Sequence, residues 1–453
     1  MIPSIRLPAR ERSGGAPWTL LGVGGVVLLG VALAGLGTIV TVLALVIQVL
    51  FLAYFIRHVS FAMAAFRSAP QDLAAPIVET GYSPPVSVLV ACKNEVSVVE
   101  DLVSSLVALD YPREQMELII VDDASDDGTG PALDALAGSQ PIEVLHRRPG
   151  AGGGKSGALN EGLETLGGEI VVIFDADHRP RPDVVRRLVR HFEDPSVAAV
   201  QGRCEISNAD DSPLTQLIAI DYLAGYLVNE YGRQAMFTLP AYGGANCAAR
   251  TEVLRDIGGW NPSSVTEDTD LTLRVILSGR RVRYDLTAVD EEEGVTTLTR
   301  FWRQRYRWAR GHHQVWRDYH WAVWRSPRLS LSQKLETTMF LLAFHIPIIS
   351  GVGLLLTFTW LGGLANPPFQ VDLFVLWMLL FLGPLLELGG GLLLAGSDRD
   401  WAKALFYFLP LFFVSIALCT KAWFDGVLGR PYSWVKTKRS GDLDAEASLA
   451  GSG

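Results

Sequence analysis

Hydrophobic residues form long blocks near both ends of this chain and short runs in its middle. No Asp, Glu, Lys or Arg occurs from Ser13 to Ile56, a stretch long enough for two bilayer crossings of about 20 residues each. Gly35 and Gly37 lie near its centre and suit a turn. Arginines flank both ends, which favours the cytoplasm for both. The pattern predicts a transmembrane helical hairpin, with one long tilted helix as the alternative.

From Pro84 to about Leu298, short apolar runs alternate with stretches of helical spacing. Continuous runs rich in Val and Ile are typical of strands that are buried on both faces of a parallel sheet. The runs are Val86–Ala91, Leu118–Val121, Ile142–Leu145, Ile170–Phe174 and Val197–Val200. The middle of the chain is therefore predicted to be an α/β domain with a mostly parallel sheet and its chemistry at the carboxyl ends of the strands.

Three more apolar segments follow, at residues 337–364, 371–395 and about 405–422. Three crossings from a cytoplasmic domain would leave the C-terminus outside, whereas the basic residues between 430 and 439 favour the cytoplasm. One segment could instead be interfacial or re-entrant. Glu387 lies within the second segment and is expected to face protein, a polar path or an interface, because a carboxylate in lipid is costly.

These patterns divide the chain into seven predicted parts. They are a cytoplasmic N-terminus (1–16), a transmembrane hairpin (17–57), a linker (58–83), a catalytic domain (84–298), interfacial helices (299–336), about three transmembrane helices (337–428) and a C-terminal tail (429–453).

Composition excludes some functions. There are 39 Lys+Arg against 48 Asp+Glu, a net charge of −9, which argues against a nucleic-acid partner because that binding needs clustered cations. Four cysteines are scattered without CxxC spacing, so neither a disulfide framework nor a zinc site is indicated. The charged fraction of 19% averages nearly uncharged membrane segments with an ordinary soluble domain.

Paired carboxylates follow two of the predicted strands. Asp122 and Asp123 come after Leu118–Val121, where they could form only a turn and helix cap or could bind a nucleoside. Asp175 and Asp177 follow Ile170–Phe174 in the same way.

The second pair suits a hard cation. Two carboxylates at i and i+2, just past a buried strand, can both face one cavity if the chain turns there. Asp175 and Asp177 would then hold Mg²⁺ or Mn²⁺ with a diphosphate, the alternative being a solvated loop. His178 is either a third ligand or a plain loop residue.

Between these pairs lies a glycine-rich stretch, Gly150 to Gly154, followed by Lys155. It imitates a P-loop, but the first required glycine is Pro149. We expect the stretch to place Lys155 near phosphates, ahead of a helix that starts around Ser156. A structural loop is the alternative.

Two further motifs lie towards the C-terminal side of the predicted domain. Glu267 and Asp268 open a helical stretch, where the helix dipole keeps Asp268 ionised as a general base requires; a purely structural cap is the alternative. Gln304, Arg307 and Trp308 share one helix face at i, i+3 and i+4. An amide, a guanidinium and an indole suit a phosphate and a sugar ring, although a basic interfacial helix would have the same composition.

The order of these motifs resembles one family. Between two groups of membrane helices the chain carries Asp122-Asp123, Asp175-Ala-Asp177, Thr266-Glu267-Asp268 and Gln304-x-x-Arg307-Trp308. Over about residues 17–430 this order resembles the processive family-2 glycosyltransferases, which include cellulose, hyaluronan and chitin synthases. It looks most similar to the bacterial poly-N-acetylglucosamine synthases. The resemblance implies a GT-A nucleotide-sugar fold and inversion at the anomeric carbon.

The resemblance also implies roles on the donor side. Glu95 and Asp123 would hold uridine, with Asp122 in the same nucleotide site. Lys155 and Arg307 would contact the diphosphate. The first strand departs from the usual family pattern, since Cys92-Lys93 precedes Asn94-Glu95.

On the acceptor side, the resemblance implies that Asp268, beside Glu267, deprotonates the acceptor hydroxyl. Trp308 would stack on the acceptor sugar, with Gln304 beside it. Asp175 and Asp177 would serve the nucleotide and an Mg²⁺ or Mn²⁺ ion.

The function expected from this resemblance is synthesis of a β-linked polysaccharide from a UDP-sugar, with UDP-N-acetylglucosamine favoured over UDP-glucose, and export of the product. The protein would be a multi-pass protein of the plasma or inner membrane, with its catalytic domain in the cytoplasm. Its partners would be the donor, a growing glycan or lipid acceptor, membrane lipid and a small accessory membrane subunit. Transfer of one sugar to a lipid is the alternative, and a nucleotide-driven transporter is a third hypothesis.

Overall fold

The computed structural model describes residues 25–26, 30, 35–76, 81–363, 373–397 and 401–430. Its central part contains an eight-stranded sheet in the order β3-β2-β1-β4-β7-β6-β8-β5. The strands are β1 Val86–Cys92, β2 Met116–Asp122, β3 Glu143–His146, β4 Ile170–Asp175, β5 Arg179–Pro180, β6 Val197–Ile206, β7 Cys247–Arg250 and β8 Arg281–Glu292.

The sheet is mixed, and the predicted α/β GT-A class is confirmed. Strands β1 to β4 pair in parallel, as do β6 and β8. The pairings β4–β7, β6–β7 and β5–β8 are antiparallel. Strand β8 was not predicted because six of its twelve residues are charged, so it forms no apolar run. Strand β7 is only four residues long.

Helices cover both faces of the sheet. Successive residues of a strand point to opposite faces, so Val88 and Val90 join the core on one face while Leu89 joins the core on the other. The main helices here are α2 Val99–Val107, α3 Thr129–Ala137, α4 Gly154–Thr165, α5 Val184–Val189, α6 Pro213–Leu223, α7 Tyr231–Phe237, α8 Thr251–Asp256 and α9 Glu267–Leu277. Strand ends and helix starts thus meet at one edge, where the predicted site lies.

The remaining helices precede or follow the sheet in the chain. They are α1 Leu36–Ala74, which precedes the sheet, and α10 Leu298–Arg325, α11 Leu331–Leu342, α12 Ile346–Leu361, α13 Leu373–Leu394 and α14 Trp401–Val427, which follow it. Among them, α10 is rich in basic residues.

Within the described residues, two helical segments have the length and hydropathy of membrane spans, 37–74 and 408–427. The pair α11 and α12 adds a third if it counts as one span, but it bends by 72° between Leu342 and Ile346. A broken span or a re-entrant loop would each have such a bend, so that an interfacial or re-entrant segment is present stays a prediction. Helix α13 contributes a shorter apolar stretch, 378–394. Apart from residues 25–26 and 30, the first crossing of the predicted hairpin lies outside the described residues.

Helix α1 connects the apolar helices to the central domain. Its C-terminal half buries Phe61 and Ala65 completely. Gly232 makes this contact possible, since a Cβ there would lie 2.5 Å from the Phe61 ring. Glu387 is buried against the same helix, where His58 Nδ1 lies 2.6 Å from it. Glu387 therefore faces protein, as one of the sequence expectations held.

Candidate active site

Lys155 lies at the centre of a charged cluster that four separate segments build. Its ammonium contacts the carboxylate of Asp175, donates to the Gly244 carbonyl at 3.1 Å and lies 3.9 Å from Glu267. Burial lowers the pKa of Lys155, but Asp175 and Glu267 outweigh this and raise it overall. Lys155 is therefore a fixed cation between Asp175, a predicted metal ligand, and Glu267, the neighbour of the predicted base Asp268.

The glycine-rich stretch sets this position. Gly152, Gly153 and Gly154 all have positive φ, a conformation that glycine adopts at little cost. A Cβ at Gly153 would lie 3.0 Å from the Gly157 Cα. Helix α4 starts at Gly154, two residues before the predicted start, so Lys155 projects from its first turn.

Asp268 lies in the first turn of α9, beside a close backbone approach. The Thr269 N–H donates to Asp268 Oδ1 at 2.6 Å. Gly244, at φ +67°, leaves room for this carboxylate, since a Cβ there would lie 3.3 Å from Asp268 Oδ2. Burial raises the pKa values of Asp268 and Glu267, and Lys155 and Arg307 partly offset the rise. Such a carboxylate is a stronger proton acceptor than an exposed one, which suits a general base.

Helix α10 holds the loop that leads into the first turn of α9, where these carboxylates lie. The Gln314 side chain accepts from the Val265 N–H at 3.2 Å and donates to the Ser263 carbonyl at 2.9 Å. One helix turn beyond, the Tyr319 hydroxyl donates to Asp270 at 2.8 Å. These contacts were not predicted, because Gln314 and Tyr319 carry no motif of their own.

Gln304, Arg307 and Trp308 lie together on α10, all half-buried. The guanidinium of Arg305 lies 4.2 Å from the centre of the Trp308 ring. Asp221 holds Arg305 in turn, at 2.7 Å. The indole is thus fixed on one side by a cation, as a platform for a ligand requires.

The predicted nucleoside end of the site is organised around Arg147, which the sequence analysis missed. This buried arginine contacts Asp123 and donates to Glu161 and to the Gly152 carbonyl, both at 2.9 Å. Lys93 lies 3.5 Å from Asp123. The signal in the sequence that could have identified Arg147 is its position just before the glycine-rich stretch.

Asp122 and Glu95 lie at the same edge of the sheet. Both carboxylate oxygens of Asp122 are engaged, one by the Ser125 N–H at 3.1 Å and the other by His146 at 3.0 Å. Asp122 therefore stabilises the turn, while Asp123 faces Arg147. The Glu95 N–H donates to Thr129 at 2.8 Å, which places Glu95 beside this turn.

Asp175, Asp177 and His178 form a candidate metal site. One potential ligand atom from each lies within 4.8 Å of the others. The two carboxylates fit Mg²⁺ or Mn²⁺, which prefer oxygen ligands. His178 fits less directly, because Asp290 contacts its Nδ1 and Glu292 lies 3.0 Å from its Nε2. It could bind a metal only if Glu292 released that nitrogen.

The chain is similar in sequence to several known proteins. A family model described as "Glycosyltransferase like family 2" matches residues 84–311. A β-monoglucosyldiacylglycerol synthase of Synechocystis sp. is 36% identical over 308 residues, 66% of this chain and 63% of that protein. A poly-β-1,6-N-acetyl-D-glucosamine synthase of Staphylococcus epidermidis is 28% identical over 247 residues, 54% of this chain and 59% of that protein. The chain thus matches less than two thirds of the length of these relatives.

One solved structure has a similar fold. The mannosyltransferase PcManGT of Pyrobaculum calidifontis, in complex with GDP-Man and Mn²⁺, aligns with a TM-score of 0.59 and 21% identity. The alignment covers 85% of this chain and all of that one. At this identity the likeness concerns the fold.

Proposed function

This chain belongs to the glycosyltransferases of family 2, and we propose that it is an inverting, membrane-embedded hexosyltransferase that uses a UDP-sugar. The observation that carries the proposal is the cluster in which Lys155 joins Asp175 to Glu267, beside Asp268. It gathers a cation for a diphosphate, carboxylates for a metal and a half-buried base within one site. We further propose that the catalytic domain, with its predicted bounds of 84–298, lies on the cytoplasmic side of the membrane.

The proposed reaction is an in-line displacement at the anomeric carbon. The acceptor oxygen forms a bond to this carbon as the bond to the diphosphate oxygen breaks, and UDP leaves with that electron pair. Asp268 takes the acceptor proton. Lys155 and Arg307 bind the diphosphate and offset its growing charge. Mg²⁺ or Mn²⁺, held by Asp175 and Asp177, would supply further charge neutralisation when bound.

The remaining contacts support a proposal for where the two ends of the substrates bind. Asp123, held by Arg147, together with Glu95 would bind the uridine, and Asp122 would support the turn between them. Trp308 would stack on the acceptor side, with Gln304 one turn before it. His178 would orient the segment that carries Asp177, or complete the metal site after releasing Glu292.

A lipid hydroxyl is the acceptor that we favour. The relative at 36% identity is named as a synthase of a glucosyl lipid, and Ala309 on α10 packs against Leu418 and Ala422 of the apolar helix α14. Processive synthesis of a β-linked polysaccharide is the second candidate. The Gln304, Arg307 and Trp308 set and the relative at 28% identity support it.

A product analysis separates the two acceptors. The full chain in lipid nanodiscs would be incubated with labelled UDP-glucose or UDP-N-acetylglucosamine, with and without diacylglycerol. We expect label in the lipid extract as a single-sugar product, dependent on the added lipid. Label in a long polymer instead would favour the second candidate, and no release of UDP from any UDP-sugar would contradict the proposed function.

A further inference from the structure

A cavity lies between the catalytic domain and the apolar helices, next to the helix of Trp308. Its volume is about 210 Å³, many times the roughly 10–15 Å³ that one water needs. Helices α6, α10 and α14 and the bend between α11 and α12 form its walls. It therefore lies where the domain meets the segments that are apolar enough to span a membrane.

The lining is apolar along most of the cavity and charged at one place. Nine of its twelve lining residues are apolar, including Phe344 and Pro347 at the bend and Leu411 and Leu418 on α14. The charged place is the Asp221–Arg305 pair, whose members are 2.7 Å apart. A sugar chain would lack hydrogen-bond partners along this lining, since burying hydroxyls without partners is costly. A hydrocarbon chain would not.

The cavity is inside the helix group, whereas the opposite face of α14 is turned outwards. Phe406 and Phe413 on that helix are 74% and 55% exposed, as expected of side chains that contact lipid tails. The 72° bend between α11 and α12 separates the two helices at the cavity wall.

Helix α10 connects the cavity to the proposed base. Arg305 lines the cavity, and its guanidinium lies over the Trp308 ring. Gly311, six residues after Arg305, touches Thr266, which precedes Glu267 and Asp268. Six residues of helix correspond to about 9 Å. That distance suits a glycerol-sized head group between an acyl chain in the cavity and the base.

We propose that this cavity binds an acyl chain of a glycerolipid acceptor, whose free hydroxyl then extends past Trp308 towards Asp268. The inference rests on the proposed function and adds the site that selects the acceptor. Arg305 would contact the ester or hydroxyl oxygens where the acyl chain ends.

The probe for this proposal is a diacylglycerol with a photoactivatable diazirine in one acyl chain. After irradiation of the full chain in nanodiscs, we expect label, assigned residue by residue, on the lining residues Phe344, Pro347, Leu411, Leu418 and Cys419. Excess unlabelled diacylglycerol should compete with it. Label that is confined to outward-facing residues such as Phe406 and Phe413, and that unlabelled diacylglycerol does not reduce, would overturn the proposal. This test uses the wild-type chain alone.

A pair of variants on one helix provides the second test. Ser415 lines the cavity, whereas Ala417, two residues on, is exposed. We expect Ser415→Phe to fill the cavity and raise the KM for a long-chain diacylglycerol about tenfold, with a smaller effect on a dihexanoyl analogue. Ala417→Phe should behave as wild type.

The outcomes separate this proposal from the proposed function. UDP binding by both variants checks their fold. Equal KM values for Ser415→Phe and Ala417→Phe, with lipid still glycosylated, would overturn the cavity assignment alone. Polymer synthesis without lipid glycosylation would overturn the lipid acceptor, and the cavity assignment with it.

Discussion

Gly311 on α10 packs directly against Thr266, the residue before the two carboxylates of the proposed base. A Cβ on Gly311 would lie 2.2 Å from Thr266 Cγ2, closer than any real contact. The helix that carries Arg307 and Trp308 is therefore fixed against the loop that leads into Asp268. This contact thus fixes Arg307 and Trp308 relative to Asp268.

Gly311→Ala should displace that loop and lower kcat by about 100-fold, because misplacement by about 1 Å can have that effect. UDP binding should change little, since Asp123 and Arg147 lie elsewhere. Gly225→Ala is the matched control, because nothing lies within 4 Å of a Cβ there. A Gly311→Ala enzyme with wild-type kcat would show that the contact does not position the base.

On the acid side of the pH–activity profile, called here the acid limb, activity should fall at a higher pH than an exposed aspartate would give, because of Asp268. Burial raises its pKa above the ordinary value of about 3.9, and only the deprotonated form can accept a proton. Activity should therefore fall as the pH falls through this raised pKa. Lys155 lowers the pKa, so Lys155→Gln should move the acid limb to higher pH besides reducing kcat. An acid limb that stays in place in Lys155→Gln would contradict this electrostatic coupling.

Arg147→Lys should weaken donor binding. Lysine cannot reproduce the fork that contacts Asp123 and Glu161 together, so we expect the Kd for UDP to rise about tenfold. The neighbouring Arg148 is exposed, and Arg148→Lys is the control. Calorimetry with UDP measures both, and equal affinities would exclude Arg147 from the nucleoside end.

Chelation should remove activity, and added Mg²⁺ or Mn²⁺ should restore it. Asp177→Asn should require at least about tenfold more metal for half-maximal activity, whereas Asp210→Asn, at an exposed carboxylate, should not. Metal titration of the chelated enzyme measures this. Full activity in the chelator would contradict a metal at Asp175 and Asp177.

Sequence alone predicted the parts of the fold that are locally encoded. Strands β1, β2 and β4 are buried on both faces, so their Val and Ile runs were visible, and the carboxylates at their ends followed. Strand β8 was missed because it alternates charged and apolar residues.

Long-range partners were not predictable. The His178 contact to Asp290 joins residues 112 positions apart, and the contacts of Arg147 to Asp123 and Glu161 span 24 and 14 positions. A single sequence does not show which of these charges meet. The close approach of Gly311 to Thr266 was invisible for the same reason. Glu387 was recognised because a lone carboxylate in an apolar segment needs a partner, but that partner, His58, was not.

The central claim is that Asp268 is the base for sugar transfer from a UDP-sugar. The most direct measurement is the rate at which Asp268→Asn transfers labelled sugar under single-turnover conditions. The affinity of the same variant for UDP is measured beside it, and Asp256→Asn, at an exposed aspartate, is the control. We expect transfer to fall by about 1,000-fold or more while UDP binding and the control remain as in the wild type. Transfer by Asp268→Asn at a rate near that of the wild type would contradict the account.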